Sequence, residues 1–173
     1  MTLEQLNGLD REAAEEVFLR CCGSTRWARE MAARRPFRDA AIMAREAESL
    51  SSELKATDWV EAFAAHPRIG ESQRAGRTGR AGGAGQSGQD WSAREQAGVD
   101  AAPDAVRQRL AAANRDYEAR FGFLYIVCAT GKTANQMLDI AERRLTHSPD
   151  EELHIAAGEQ LKITRLRLAK LIS

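Results

Sequence analysis

Three histidines in this chain of 173 residues have an ordinary pKa that suits proton transfer at neutral pH. His66 stands apart because Pro67 follows it, in the short segment His66-Pro67-Arg68-Ile69-Gly70. Proline disfavours the α conformation in the residue before it, so His66 is predicted to lie at a helix end and to face a cleft. The alternative is a helix-ending histidine that only bonds to backbone. His147, beside a helix start, and His154, on a helix surface, are predicted to be solvated.

A second candidate site is the segment Ser92-Ala93-Arg94-Glu95-Gln96. Ser92 and Glu95 have the spacing of a capping box, which predicts a short helix that ends near Gly98. A helix N-terminus offers free N–H groups to an anion, so this segment is also suited to facing a ligand. The alternative is a cap with no further role, which contributes about 1 kcal/mol to stability.

The run from Phe121 to Ala129 is the most apolar part of the chain. Its composition alone favours a buried strand, but no second segment offers a convincing strand partner. It is therefore predicted to be a buried, extended connector that leads into a helix. Backbone groups of an extended segment outside a sheet need partners, and a planar polar ligand would supply some of them. The alternative is plain core. Cys128 is a poor nucleophile here, because apolar surroundings raise the pKa of a thiol.

Other kinds of site lack their sequence patterns. There is no HxH, HExxH or paired CxxC spacing for a metal, and the glycines lack the context of a phosphate loop. Three cysteines, an odd number, favour a reducing cytoplasm over a disulfide framework. No apolar run approaches the roughly 20 residues of a membrane span, and the N-terminus does not resemble a signal peptide. Equal numbers of basic and acidic residues, 25 each, argue against a general nucleic-acid binder.

Helix signals recur along the chain. Alanine, a strong helix former, occurs 31 times, which favours an all-α fold. The sequence predicts one domain over residues 1–173, a bundle of about eight helices with a flexible glycine-rich loop at about 75–89. The helix over about 38–50 is predicted to turn Ala41, Ile42 and Ala44 inward. The predicted starts are Asp10, Ser24, Arg38, Thr57, Ser92, Pro103, Thr133 and Ser148.

Several motifs occur together in a fixed order. They are His66-Pro67-Arg68-Ile69-Gly70, Ser92-x-x-Glu95-Gln96-x-Gly98, Asn114-x-x-Tyr117, Arg120-Phe121-Gly122-Phe123, Cys128-Ala129-x-Gly131 and Glu159-x-x-Lys162-Ile163-x-x-Leu166-Arg167-Leu168. In this order the sequence resembles the family of 2-oxo-4-hydroxy-4-carboxy-5-ureidoimidazoline (OHCU) decarboxylases of uric acid degradation. The resemblance spans the chain from about Leu3 to Leu171.

The resemblance implies an all-α homodimer that produces (S)-allantoin without a cofactor. It implies that His66 is the catalytic acid/base and that Arg167 is the site arginine, although Arg165 lies only two residues away. The implied substrate contacts are Pro67, the segment Ser92, Ala93, Arg94, Glu95 and Gln96 with Glu95 as polar anchor, and the backbone of Tyr125, Ile126, Val127, Cys128 and Ala129.

Two features depart from the family pattern. The loop at 75–89 is longer and richer in glycine, and Thr146-His147-Ser148 replaces a turn that often contains asparagine. Two other functions stay open at this stage. One is a helical module that binds protein or RNA through the turn at His66 and the arginine-rich loop. The other is an enzyme of the same fold that acts on a related ureido or imidazoline acid.

Overall fold

The computed structural model describes residues 1–69 and 102–173, and this part of the chain consists of α-helices without strands. The all-α prediction is therefore confirmed. The glycine-rich loop and the helix start at Ser92 lie outside the described residues. Among the described helices, none combines the length and the apolar character needed to cross a bilayer. The helices are α1 (Leu3–Gly8), α2 (Arg11–Cys22), α3 (Thr25–Ala33), α4 (Ala40–Ser52), α5 (Ala56–Ala64), α6 (Asp104–Phe121), α7 (Ala134–Arg144) and α8 (Pro149–Leu171).

Side-chain caps begin most of these helices. In four predicted caps a side-chain oxygen accepts the N–H three residues further on, at 2.7 to 3.3 Å, and these are Asp10, Ser24, Thr133 and Ser148. The cap predicted at Thr57 is wrong. Helix α5 begins earlier, with Lys55 at the cap position, because Asp58 Oδ2 accepts the Lys55 N–H at 2.9 Å. Helix α1, which Thr2 caps, was not predicted.

The predicted inward face of α4 is only partly correct. Ala41 is exposed, Ile42 and Ala44 are half-buried, and the buried residues of α4 are Met43, Ala47, Leu50 and Ser51. Met43, Ala47 and Leu50 follow the helical spacing as well as the predicted set does. Methionine and leucine remove more apolar area from water than alanine, so the face that carries them turns inward.

The described residues form two compact units, Met1–Ala65 with Gly158–Ser173, and His66–Ala157. The core of the first unit is built around Phe18, whose ring meets Trp27 and Phe37 edge to face at centroid distances of 6.1 Å. The buried indole of Trp27 donates to the carbonyl of Ala47 at 3.2 Å, so its polar atom is satisfied.

The core of the second unit surrounds Tyr117 of α6. Its ring contacts Phe121, Phe123 and Tyr125 at centroid distances of 4.7, 5.8 and 5.2 Å. The buried cluster brings one end of the His66 segment together with the extended connector and helices α6 and α7. Its members are Ile69, Leu110, Ala113, Tyr117, Tyr125, Val127, Ala129, Ala134, Met137, Leu138 and Ala141.

Candidate active site

His66 follows directly on the end of a helix. Helix α5 ends at Ala64, with Ala65 at its C-cap, as the Pro67 signal predicts. The imidazole is half-buried, and its Nε2 atom is shielded from solvent. One ring nitrogen therefore points into the protein rather than into bulk water.

Helix α6 anchors the chain just after His66. The guanidinium of Arg68 forms two parallel bonds with the carboxylate of Glu118, at 2.7 and 2.9 Å. One turn earlier on α6, Asn114 Nδ2 donates to the carbonyl of Ile69 at 2.6 Å. A bidentate pair fixes direction as well as distance, so these two contacts restrict the path of the chain that carries His66.

The connector at 124–129 belongs to neither helix nor strand, and Tyr125, Ile126, Val127, Cys128 and Ala129 are all buried. The prediction of a buried connector outside helix and strand is confirmed over these residues, whereas Phe121 belongs to α6.

Three carbonyls of the connector accept donors of the protein itself. Lys132 Nζ donates to Cys128 at 2.7 Å, the Lys132 N–H donates to Ala129 at 3.0 Å, and Arg144 donates to Ile126 at 2.7 Å. Protein donors therefore meet part of the hydrogen-bonding demand that the sequence analysis assigned to a ligand.

A buried polar cluster contacts the connector through the carbonyl of Ile126. Its members are Arg144 of α7, Glu152 of α8 and Tyr117 of α6, with His147 at the edge. Two guanidinium nitrogens of Arg144 lie 2.7 and 2.5 Å from Glu152 Oε1, and that oxygen also accepts the Tyr117 hydroxyl. His147 Nδ1 lies 2.8 Å from Glu152 Oε2. Because Glu152 is fully buried, removing Arg144 would strand its charge, at a cost of about 3–5 kcal/mol.

The ionisation of this cluster follows from its burial and its pairing. Burial raises the pKa of the Tyr117 phenol above its ordinary range, so its hydroxyl stays protonated and donates. Burial opposes the charged form of Arg144, but the hydrogen bond to Glu152 and the electrostatic attraction of Tyr117, Glu152 and Tyr125 together outweigh it and raise the pKa of Arg144. The guanidinium also lies over the rings of Tyr125 and Tyr117, at 5.1 and 5.7 Å from their centroids.

The prediction that His147 is solvated is therefore only partly correct, because its side chain is 27% exposed. The turn between α7 and α8 places its ring against a buried carboxylate, and a position beside a helix start gives no sign of that contact. His154 is exposed as predicted, with Nδ1 2.7 Å from the carbonyl of Asp150.

Sequence reasoning missed the pair of Arg144 and Glu152. The two residues lie eight positions apart on either side of a helix break, so no helical or strand spacing connects them. The nearest sequence signal is the motif Asn114-x-x-Tyr117, because the Tyr117 hydroxyl bonds to both residues of the pair.

Arg167 belongs to the first unit. It is buried, and one guanidinium nitrogen lies 3.4 Å from the carbonyl of Arg20. Arg165 is exposed and pairs with Glu48 at 2.7 Å. The two arginines that the sequence left as alternatives thus differ clearly in their surroundings.

The segment Ser92, Ala93, Arg94, Glu95 and Gln96 lies outside the described residues. In residues 1–69 and 102–173, no group of three or more histidine, cysteine or acidic side chains is arranged to hold a metal.

Comparisons with known proteins agree on one family. The chain is 36% identical to the uric acid degradation bifunctional protein TTL of Arabidopsis thaliana, an alignment that covers 94% of the chain and 48% of that protein. It therefore spans about half the length of this relative. The chain is 28% identical to the 2-oxo-4-hydroxy-4-carboxy-5-ureidoimidazoline decarboxylase of Haloferax volcanii, over 100% of the chain and 97% of that protein.

A solved structure supports the same conclusion. It is described as OHCU decarboxylase in the presence of (S)-allantoin, and it is 32% identical to this chain. The superposition has a TM-score of 0.75 and covers 91% of this chain and 97% of the other. The family model for OHCU decarboxylase matches residues 7–169, which is nearly the whole chain. The chain therefore belongs to the OHCU decarboxylase family.

Proposed function

We propose that the chain is a cofactor-independent carboxy-lyase that converts 2-oxo-4-hydroxy-4-carboxy-5-ureidoimidazoline to (S)-allantoin in uric acid degradation. Family membership and the 32% identity to a decarboxylase solved with (S)-allantoin support this function over an interaction module. The structural observation that carries the proposal is the setting of His66. Its Nε2 is buried, and Glu118 and Asn114 anchor the residues just after it.

The chemistry of the substrate explains why the reaction needs no cofactor. A carboxylate and a hydroxyl share one ring carbon, and a ring C=N bond lies next to it. When CO2 leaves, the electron pair of the broken bond moves into the imine, so the substrate is its own electron sink. The protein must hold the ring, stabilise the shifting charge and deliver a proton to one face of the former imine carbon, while the hydroxyl on the neighbouring carbon loses its proton and becomes a carbonyl.

Each of these tasks is assigned to particular residues. His66 transfers the proton, since its ordinary pKa suits that step at neutral pH. Arg167 binds an anionic or carbonyl oxygen through its planar fork. Glu95 grips the ureido N–H groups or tunes His66. The remaining substrate contacts are Pro67, Ser92, Ala93, Arg94 and Gln96.

The connector holds the ring through its backbone. The carbonyls of Ile126, Cys128 and Ala129 already accept donors of the protein. We therefore assign the substrate contacts of residues 125–129 mainly to N–H groups, which pair with carbonyl oxygens of the ring and the ureido arm.

The assembly and the location of the protein are part of the same proposal. Residues 1–173 act as one domain, two copies form a homodimer, and the protein works in the cytoplasm. The three cysteines support a reducing compartment, because each is a buried free thiol. Sedimentation equilibrium of the purified chain measures the assembly, and a monomer at micromolar concentration would contradict the homodimer.

The test uses freshly generated substrate. Uric acid is incubated with its oxidase and the hydrolase that follows, the protein is added, and circular dichroism records optically active allantoin. The wild type is expected to produce the S enantiomer, whereas spontaneous decay gives a racemate without signal. His66→Ala is expected to lower kcat about 100-fold or more, the usual effect of a lost acid/base group.

His154→Ala is the matched control, because this exposed histidine contacts only the backbone of its own helix among the described residues. It is expected to keep wild-type turnover. No optical signal from the wild type would contradict the proposed function. Normal turnover by a folded His66→Ala protein would contradict the role of His66 alone.

A further inference from the structure

The buried polar cluster contacts the backbone of the connector at one point. Arg144 uses one guanidinium nitrogen for the Ile126 carbonyl at 2.7 Å, while others bind Glu152 and the Tyr117 hydroxyl. The Tyr125 ring lies under the same guanidinium, and the Tyr125 hydroxyl donates to the carbonyl of Met137 at 2.9 Å. The start of the connector is thus fixed by polar groups of α6, α7 and α8.

We infer that Arg144, held by Glu152 and Tyr117, is a positioning residue that keeps Ile126–Ala129 in the shape that binds the substrate. The inference rests on the proposed function, because that function assigns substrate contacts to this backbone. Arg144 is directed at a carbonyl of the connector, and Glu152 and Tyr117 are directed at Arg144. None of the three is assigned a contact with substrate.

The connector needs such a device because it lies outside the regular hydrogen bonding of helices and sheets. An extended segment without a sheet has no ladder to define its path, so other donors must define it. A planar guanidinium that bonds in several directions at once restricts both the position and the direction of the Ile126 carbonyl. A segment whose path is already defined does not have to be reordered when the substrate binds.

Arg144 differs from ordinary surface charges of the same unit because it is buried. Arg109 of α6 also forms an ion pair, at 2.7 Å from Glu142 of α7, but the side chains of both residues are exposed. Such a pair contributes little to stability or order. Arg109→Lys is therefore a matched control. It makes the same arginine-to-lysine change without loss of charge, in an ion pair that also joins two helices of this unit.

The experiment compares Arg144→Lys and Tyr117→Phe with Arg109→Lys and the wild type. Lysine keeps the charge beside Glu152 but lacks the fork that also reaches the Ile126 carbonyl. We expect Arg144→Lys to raise KM about tenfold while kcat changes less than about threefold, because saturating substrate reorders the segment. Tyr117→Phe is expected to raise KM less, and Arg109→Lys to leave both constants unchanged.

Amide hydrogen exchange provides a readout that does not depend on turnover. In Arg144→Lys the amides of residues 126–129 are expected to exchange at least tenfold faster, relative to core amides of α6 in the same protein. Unchanged relative exchange together with an unchanged KM would overturn the inference, as would a fall in kcat alone. A wild type without activity would instead contradict the proposed function, and this inference with it. If Arg144→Lys does not fold, KM and the relative amide exchange of residues 126–129 in Tyr117→Phe test the inference instead.

Discussion

Asn114 Nδ2 lies 2.6 Å from the carbonyl oxygen of Ile69, a residue 45 positions earlier in the chain. This bond ties the segment that carries His66 to helix α6. Asn114→Ala removes the donor and leaves a buried carbonyl unsatisfied, which is expected to lower the free energy of unfolding by about 1–3 kcal/mol. Because His66 lies three residues before Ile69, kcat is also expected to fall about tenfold or more. Urea denaturation and the circular dichroism assay measure the two effects.

The control for this prediction is Asn7→Ala. Like Asn114, Asn7 uses its side-chain amide to bind the backbone of a distant residue. Its Nδ2 donates to the carbonyl of Phe37 at 2.8 Å, and its Oδ1 accepts the Phe37 N–H at 2.9 Å. Its loss is expected to reduce stability to a similar extent while kcat stays near the wild-type value. If the two variants lose kcat equally, the bond to Ile69 has no specific effect on His66.

Gly23 ends α2 where that helix meets α5, and its backbone has a positive φ of 88°. A Cβ at this position would lie 2.7 Å from Ala65 Cβ and 2.9 Å from the Ala62 carbonyl oxygen. Gly23→Ala is therefore expected to combine the strain of positive φ, about 1–2 kcal/mol, with overpacking of about 1–3 kcal/mol. Urea denaturation at neutral pH measures the total loss.

Gly122 separates these two contributions. It has a similar φ of 77°, but a Cβ there would meet no atom within 4 Å. Gly122→Ala is expected to cost only the conformational strain, about 1–2 kcal/mol. Equal losses in the two variants would mean that the close approach of Gly23 to α5 does not restrict the side chain.

Local signals in the sequence were enough to predict the setting of the proposed catalytic histidine. Proline after His66 predicts the helix end, and the structure ends α5 two residues before it. The apolar run without a strand partner predicts a buried connector outside helix and strand, which residues 125–129 form. Both predictions depend only on local properties, namely the restriction that proline places on the residue before it and the apolar character of a short run. Such properties are the same in the folded and the unfolded chain.

Contacts between distant segments were not predictable in the same way. Arg144 and Glu152 meet only because the turn between α7 and α8 brings the end of one helix beside the start of the next, and charge alone gives no sign that both are buried. The predicted face of α4 was only partly correct for a related reason. Its periodicity allowed two faces, and packing within the first unit decided in favour of Met43 and Leu50.

Arg167 and Arg165 are expected to differ sharply in their effect on catalysis. Arg167 is buried, whereas Arg165 is exposed in a pair with Glu48. Arg167→Lys keeps the charge but removes the planar fork, so we expect turnover to fall at least tenfold. Arg165→Lys is the matched control and is expected to keep wild-type turnover, since exposed pairs contribute little. The reverse result, with both proteins shown to be folded by thermal unfolding, would assign the site arginine to Arg165.

Cys21 and Cys22 make stability sensitive to alkaline pH. Burial raises the pKa of Cys21 from 9.0 to about 12 and that of Cys22 from 9.0 to about 11. In the unfolded chain these thiols ionise near their ordinary pKa, so between about pH 9 and pH 11 the folded protein holds protons that the unfolded chain has lost. The stabilisation is complete below pH 9 and is lost as the pH rises through this window, by about 1.4 kcal/mol per pH unit for each thiol.

Urea denaturation between pH 7.5 and pH 10 measures this dependence, and it stays below the range where Tyr117 would dominate. Cys21→Ala is expected to start less stable than the wild type, because it leaves a cavity, but to lose less stability per pH unit. Val17→Ala is the control, since it removes buried volume from the same helix without removing a titrating group. Its pH dependence should parallel the wild type. If Cys21→Ala also runs parallel to the wild type, the buried thiol of Cys21 does not resist ionisation in the folded protein.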